Sequence, residues 1–342
     1  METPTSISNS TSPEAANGET APCHECSYRG FLANDGAEMV FQSFGVPGPA
    51  CVILVHGFSG SSDYFTRSFD ELSKTLWVVA PDLRGHGQSA KTPNGYHVAR
   101  LAADLRDLIL ELRKTVPDLR PMGVGCSIGA AVLWTYVELY TESDFDRFIF
   151  VDQAPLQNYA IDGSWLLGNY GCHDAASLAW NQANMILNPA SAWKGLVSSC
   201  LGYRFDADYG RQINISRDCA QADSLFFTST SNLCDPRWLA KLMADHTAYD
   251  HRDTIQHGIT KPCLVLYGKR SGCFPAEGMI ETARLLNQKR SGLCGTLQFE
   301  SGHWLFYEEA AKFNAIVRQF PHLCPSASEV DKVKHLYSDM HL

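Results

Sequence analysis

The chain has 342 residues, of which 45% are apolar and 19% charged, with a net charge of −9. That balance belongs to a globular chain with ample apolar material for a core. The acidic excess leaves no broad basic surface for nucleic acid or an anionic membrane, and no apolar run reaches the roughly 18–20 residues that cross a bilayer. The length fits one large domain or a core with an insertion.

Residues 1–26 are Ser, Thr, Asn, Pro and Glu with little to bury, and read as a disordered tail. They lack an apolar signal core and contain acids that a transit peptide would avoid, so a cytoplasmic protein is expected. The twelve cysteines read as reduced thiols, several of them in apolar runs, as at Cys51, Cys126 and Cys263. Cys23 and Cys26 form a lone C-x-x-C in the polar tail, without the second pair that a zinc site needs. The Asn9 and Asn214 sequons carry little weight without a secretory signal.

From about residue 38 the chain alternates short apolar runs with helical patterns. The runs are 38–44, 51–55, 76–80, 121–126, 148–151, 263–267 and 297–299. Uninterrupted runs of this length, separated by helices, predict an α/β fold with a mostly parallel central sheet covered on both faces. Leu101, Leu105, Leu108, Ile109 and Leu112 predict one of those helices. The segment 156–258 breaks the rhythm: it reads as helical, without a strand, and as a lid over one end of the sheet. The core is thus expected over 27–155 and 259–324, and the tail 325–342 is expected to fray.

Gly125-Cys126-Ser127-Ile128-Gly129 follows an apolar strand and precedes a helix-like run. The pattern G-x-S-x-G is weak alone, but strand–turn–helix is the setting in which it presents a serine nucleophile. The bland reading is a glycine-rich turn with a capping serine. Cys126 is expected beside Ser127 on the wall of the substrate pocket, with Trp304 as a second wall residue.

Four blocks in order, His56-Gly57-Phe58, Asp82-Leu83-Arg84-Gly85-His86-Gly87-Gln88-Ser89, the Ser127 turn and Gly302-His303-Trp304, resemble the α/β-hydrolase superfamily over roughly residues 36–320. The resemblance implies a catalytic Ser127 with His303 as general base. It also implies an oxyanion hole from the backbone N–H groups of Phe58 and Ile128. The Asp82–Ser89 block resembles a bracing turn of the family. His303 as a loop histidine held by local hydrogen bonds is the bland alternative.

The acid departs from the commonest family pattern. After the strand at 263–267 the usual Asp position is taken by Ser271, and the nearest later carboxylate is Glu277. A second arrangement in the superfamily puts the acid after the strand that follows the nucleophile helix, which here selects Asp152. Asp152, Glu277 and a triad without a working acid all stay open, and a strand-end Asp also caps turns.

No metal or cofactor is called for. The resemblance implies hydrolysis of a small carboxylic ester or lactone through an acyl-enzyme. Perhydrolase or haloperoxidase-like chemistry and C–C bond hydrolysis use the same triad. A non-catalytic ligand receptor is the other class, favoured only by the displaced acid, and it gains weight if Asp152 stands far from His303. Trp165, Tyr170, Trp180, Trp193 and Trp238 give the insertion aromatic bulk for packing or for a small-molecule pocket.

Overall fold

The computed structural model describes residues 27–204 and 216–322. The expected tails, the Cys23–Cys26 pair and Asn214 lie outside them. Eight strands form one sheet: β1 (Ser27–Leu32), β2 (Glu38–Phe44), β3 (Cys51–Val55), β4 (Trp77–Pro81), β5 (Met122–Cys126), β6 (Arg147–Val151), β7 (Cys263–Gly268) and β8 (Cys294–Phe299). Their order is β1-β2-β4-β3-β5-β6-β7-β8. Strand β2 is antiparallel to β1 and β4, and the remaining pairs are parallel. Every residue of β3, β4, β5 and β7 is buried, as a sheet covered on both faces requires.

Strand β1 has no apolar run behind it: it is an edge strand with Tyr28 and Leu32 exposed. It forms by pairing along its own whole length with β2. Strand β8 starts at Cys294, three residues before the apolar run that predicts it.

The core helices are α1 (Phe69–Leu72), α2 (Val98–Arg113) and α3 (Ile128–Tyr140). On α2 the five predicted apolar positions are all buried. Its first turn is tied to the insertion, because Val98 N–H donates to Asp245 (2.8 Å). Helix α3 buries ten consecutive residues from Ile128 to Val137 and runs through the middle of the molecule, so it is apolar all round.

Between β6 and β7 the described residues hold no strand. They hold α4 (Ala175–Leu187), α5 (Pro189–Cys200), α6 (Arg217–Ser231), α7 (Pro236–Ala248) and α8 (Arg252–His257). Their starts are legible in the chain. Asp174 caps α4 in a reciprocal box with Ser177, and Asp235 caps α7 just before Pro236. The ion pairs of Asp250 and Asp253 stay within the insertion. Arg252 pairs with Asp250 and reaches Ser164, while the link to Pro155 is made by the backbone N–H of His251 (2.9 Å). The chain closes with α9 (Ala276–Leu286), α10 (Leu305–Glu308) and α11 (Ala310–Gln319). No helix of the described residues is long and apolar enough to cross a membrane.

Candidate active site

Strand β3 leads to β4 on one side and β5 leads to β6 on the other, so the connections leave β3 and β5 in opposite directions. The crevice at such a reversal, at the carboxyl ends of the strands, is where open α/β sheets bind ligands. Here it receives His56-Gly57-Phe58 from β3 and Ser127 from β5.

Ser127 is the single residue between β5 and α3 and has φ 54°, ψ −125°, a strained conformation for a residue with a Cβ. The two glycines around it have a steric reason. A Cβ on Gly125 would stand 2.5 Å from the backbone of Gly129, and one on Gly129 would stand 2.3 Å from Val55 O. Gly129→Ala is therefore expected to cost about 1–3 kcal/mol through overpacking. Urea unfolding checks this, since a variant as stable as wild type would show that the turn has room.

Ile128 is the first residue of α3, where N–H groups have no intrahelical acceptor and the helix dipole is positive. The other loop also passes close, because a Cβ on Gly57 would be 3.2 Å from Ser127 Cβ. That loop is fixed by the fully buried His56, whose Nε2 accepts from Leu83 N–H (3.0 Å). Its Nδ1 therefore carries the proton and donates to Gly57 O (2.8 Å). Burial lowers the His56 pKa to about 4, which keeps the ring neutral.

The turn at 82–89 braces this loop. Asp82 accepts from the N–H groups of Ser62 and Gln88, both at 2.7 Å. Arg84, fully buried, makes paired hydrogen bonds to Asp104 and to Asp35.

His303 follows β8 and is buried. Its Nδ1 donates to Asp152 Oδ2 at 2.5 Å. Asp152 leaves β6 with φ 47°, a left-handed turn that aims its side chain at the neighbouring strand end. Gly268 N–H, at the end of β7, donates to Oδ1 (3.1 Å), and Ser271 Oγ–H donates to Oδ2 (2.6 Å). Ser271, the residue at the usual acid position, thus steadies the carboxylate that arrives from β6. Glu277 is exposed on the first turn of α9.

Burial opposes the imidazolium of His303, but the Cys273 sulfur and Asp152 outweigh it and raise its pKa. The hydrogen bond from Cys200 holds the Cys273 thiol below its ordinary range against burial, with His303 helping.

Ser127, Phe58, His303 and Trp304 line one cavity of about 580 Å³ with α4 and α5 of the insertion. On its insertion side Trp180, Met185, Trp193 and Leu196 supply apolar surface, beside the polar Ser177, Asn181 and Asn184. Trp165 and Trp238 are buried in packing, and Tyr170 is exposed. Trp304 also stacks on Phe227 of α6 with centroids 3.7 Å apart, which seats the insertion on the His303 loop. Cys126 corrects an expectation: it is buried at the end of β5 and does not face the cavity, whose cysteine lining comes from Cys172, Cys200 and Cys273.

Glu308 carries no motif of its own. Its Oε1 accepts from Gly202 N–H (2.9 Å) in the insertion and Gly302 N–H (3.0 Å) beside His303. Burial raises its pKa to about 7. A carboxyl raised in the fold contributes full stability below its unfolded pKa and loses it as pH rises through the folded value. Glu308→Gln is thus expected to gain about 1–3 kcal/mol on wild type between about pH 5 and pH 8. Urea unfolding at both pH values tests this, and a difference that does not change with pH would contradict it.

The chain matches the α/β-hydrolase fold family over residues 51–310 and belongs to it. It is 26% identical to the AB hydrolase superfamily protein YisY of Bacillus subtilis, over 79% of this chain and 90% of that one. It is 26% identical to a pimeloyl-[acyl-carrier protein] methyl ester esterase of Vibrio cholerae, over 77% of this chain and 90% of that protein. Among solved structures it is similar to a bromoperoxidase from Bacillus anthracis, with TM-score 0.72, 17% identity, and coverage of 86% and 100%.

Proposed function

We propose that the protein is a serine esterase that cleaves a small carboxylic ester or lactone through an acyl-enzyme. The observation that carries this is the 2.5 Å contact between His303 and Asp152 in the crevice that Ser127 enters. A carboxylate out of reach would have favoured a binding protein on a hydrolase fold. The similarity to a methyl ester esterase supports the same substrate class.

In this reading Ser127 Oγ attacks the ester carbonyl while His303 Nε2 takes its proton. Asp152 holds the Nδ1–H tautomer and stabilises the imidazolium that forms. The N–H groups of Phe58 and Ile128 receive the oxyanion, each donor being worth about 2.7–4 kcal/mol. His303 then protonates the departing alcohol, and water repeats the sequence on the acyl group. The insertion acts as a lid, and its Trp180, Trp193 and Leu196 favour an apolar acyl or alcohol group.

Rapid mixing with p-nitrophenyl esters of increasing chain length is expected to give a burst near one p-nitrophenolate per chain, then slower turnover. Ligand binding without release of p-nitrophenolate from any ester would favour the receptor reading instead.

A further inference from the structure

Two sulfurs meet beside His303 that the proposed ester chemistry does not use. Cys200 ends α5 in the insertion, Cys273 lies in the loop after β7, and their Sγ atoms are 3.6 Å apart. The two sulfurs and one ring nitrogen of His303 all lie within 4.8 Å of one another. All three residues are buried, and all three line the cavity. We propose that Cys200, Cys273 and His303 form a binding site for one thiophilic cation of the Zn²⁺ or Cd²⁺ class, and that filling it withdraws the catalytic base.

The spacing suits such an ion. Two thiolates bound tetrahedrally at about 2.3 Å stand about 3.8 Å apart, so the sulfurs need little movement. The donor set, two sulfurs and an imidazole, selects zinc-like ions over Mg²⁺ or Ca²⁺. Nδ1 of His303 already donates to Asp152, so Nε2, once it gives up its proton, is the nitrogen left for the metal. A carboxylate behind a ligating histidine is the usual way such a ring is oriented.

The three ligand-bearing segments are also stitched together by backbone groups. Gly272 N–H donates to Ser199 O (3.0 Å), and Trp304 N–H donates to Cys200 O (3.4 Å). Glu308 holds the N–H groups of Gly202 and Gly302. The donors are thus held near one another before any ion arrives, and the cavity leaves a fourth position for water. Binding releases the thiol protons and the Nε2 proton of the protonated His303 ring to solvent, and occupies the nitrogen that would deprotonate Ser127. The inhibitory half of this inference rests on the esterase reading above; the site itself does not.

The test uses the reduced, metal-free full chain carrying Cys23→Ser and Cys26→Ser, so that the amino-terminal pair contributes nothing. Cd²⁺ is expected to give a saturable ultraviolet thiolate-to-metal band at one equivalent, and Mg²⁺ none. Cys200→Ser and Cys273→Ser should each weaken Cd²⁺ binding at least about tenfold, equivalent to about 1.4 kcal/mol. The band should be retained in Ser127→Ala. Fluorophosphonate labelling of Ser127 should slow in step with Cd²⁺ occupancy and recover with chelator.

A band that survives both cysteine variants, or no binding at micromolar Cd²⁺, would overturn the proposal. So would labelling that continues undiminished on the Cd²⁺-loaded protein. A chain that binds Cd²⁺ here but never reacts with fluorophosphonate, even free of metal, would instead sink the esterase reading and leave the metal site standing.

Discussion

Ser127→Ala is expected to lower kcat for a p-nitrophenyl ester by about 10⁴- to 10⁶-fold with little change in KM. The residue sits alone between strand and helix, in a conformation whose strain the surrounding packing sustains. In the proposed mechanism, removing Oγ deletes the atom that would form the acyl bond and leaves the proposed oxyanion donors and the cavity in place. The residual rate should therefore stay above that in water. The folded state should be as stable as wild type, because the backbone of the turn is held by Gly125 and Gly129 and not by the hydroxyl. A variant that keeps more than about a tenth of the activity would place the nucleophile elsewhere.

Asp152→Asn is expected to lower kcat by about 10⁴-fold, because an amide facing His303 Nδ1 favours the wrong tautomer and cannot stabilise the imidazolium. Glu277→Gln, on an exposed helical turn, should leave kcat within about twofold, a difference below 0.5 kcal/mol. A third variant separates positioning from general damage to the fold. Ser271 Oγ lies 2.6 Å from Asp152 Oδ2, so a carboxylate at position 271 can take over the vacated place. Ser271→Asp in the Asp152→Asn background should recover at least about tenfold of the lost kcat. Loss of rate in Asp152→Asn with no recovery, together with a lowered melting temperature, would mean that Asp152 serves the fold alone.

The parts of the fold that the chain displays are those where local pattern and burial agree. Cys51–Val55 and Cys263–Gly268 are buried along their whole length, so polar residues never interrupt them and they can be read directly. Strand β1 escapes because an edge strand owes its existence to a partner rather than to burial, and its exposed Tyr28 and Leu32 carry no alternation.

The same division runs through the site. Ser127 and His303 sit in short motifs that carry their own glycines. Asp152 has no motif of its own: the resemblance points to it through the superfamily's second arrangement, and it leaves β6, which lies between β5 and β7. The residues around them were not legible. Cys200 and Cys273 are 73 residues apart, and Glu308 and Gly202 are 106 apart. They meet because the insertion folds back over the His303 loop, and no window along the chain records that return. Cys126 shows the converse: adjacency to Ser127 in sequence put it on the cavity wall, but it is buried at the end of β5 and does not line the cavity.

The most direct test of the esterase reading is stoichiometric labelling of the folded, metal-free protein with a fluorophosphonate, followed by mass mapping. One label per chain, located on Ser127 and absent from Ser127→Ala, is the predicted result. A folded chain that takes up no label, or takes it up at another residue, would contradict the account.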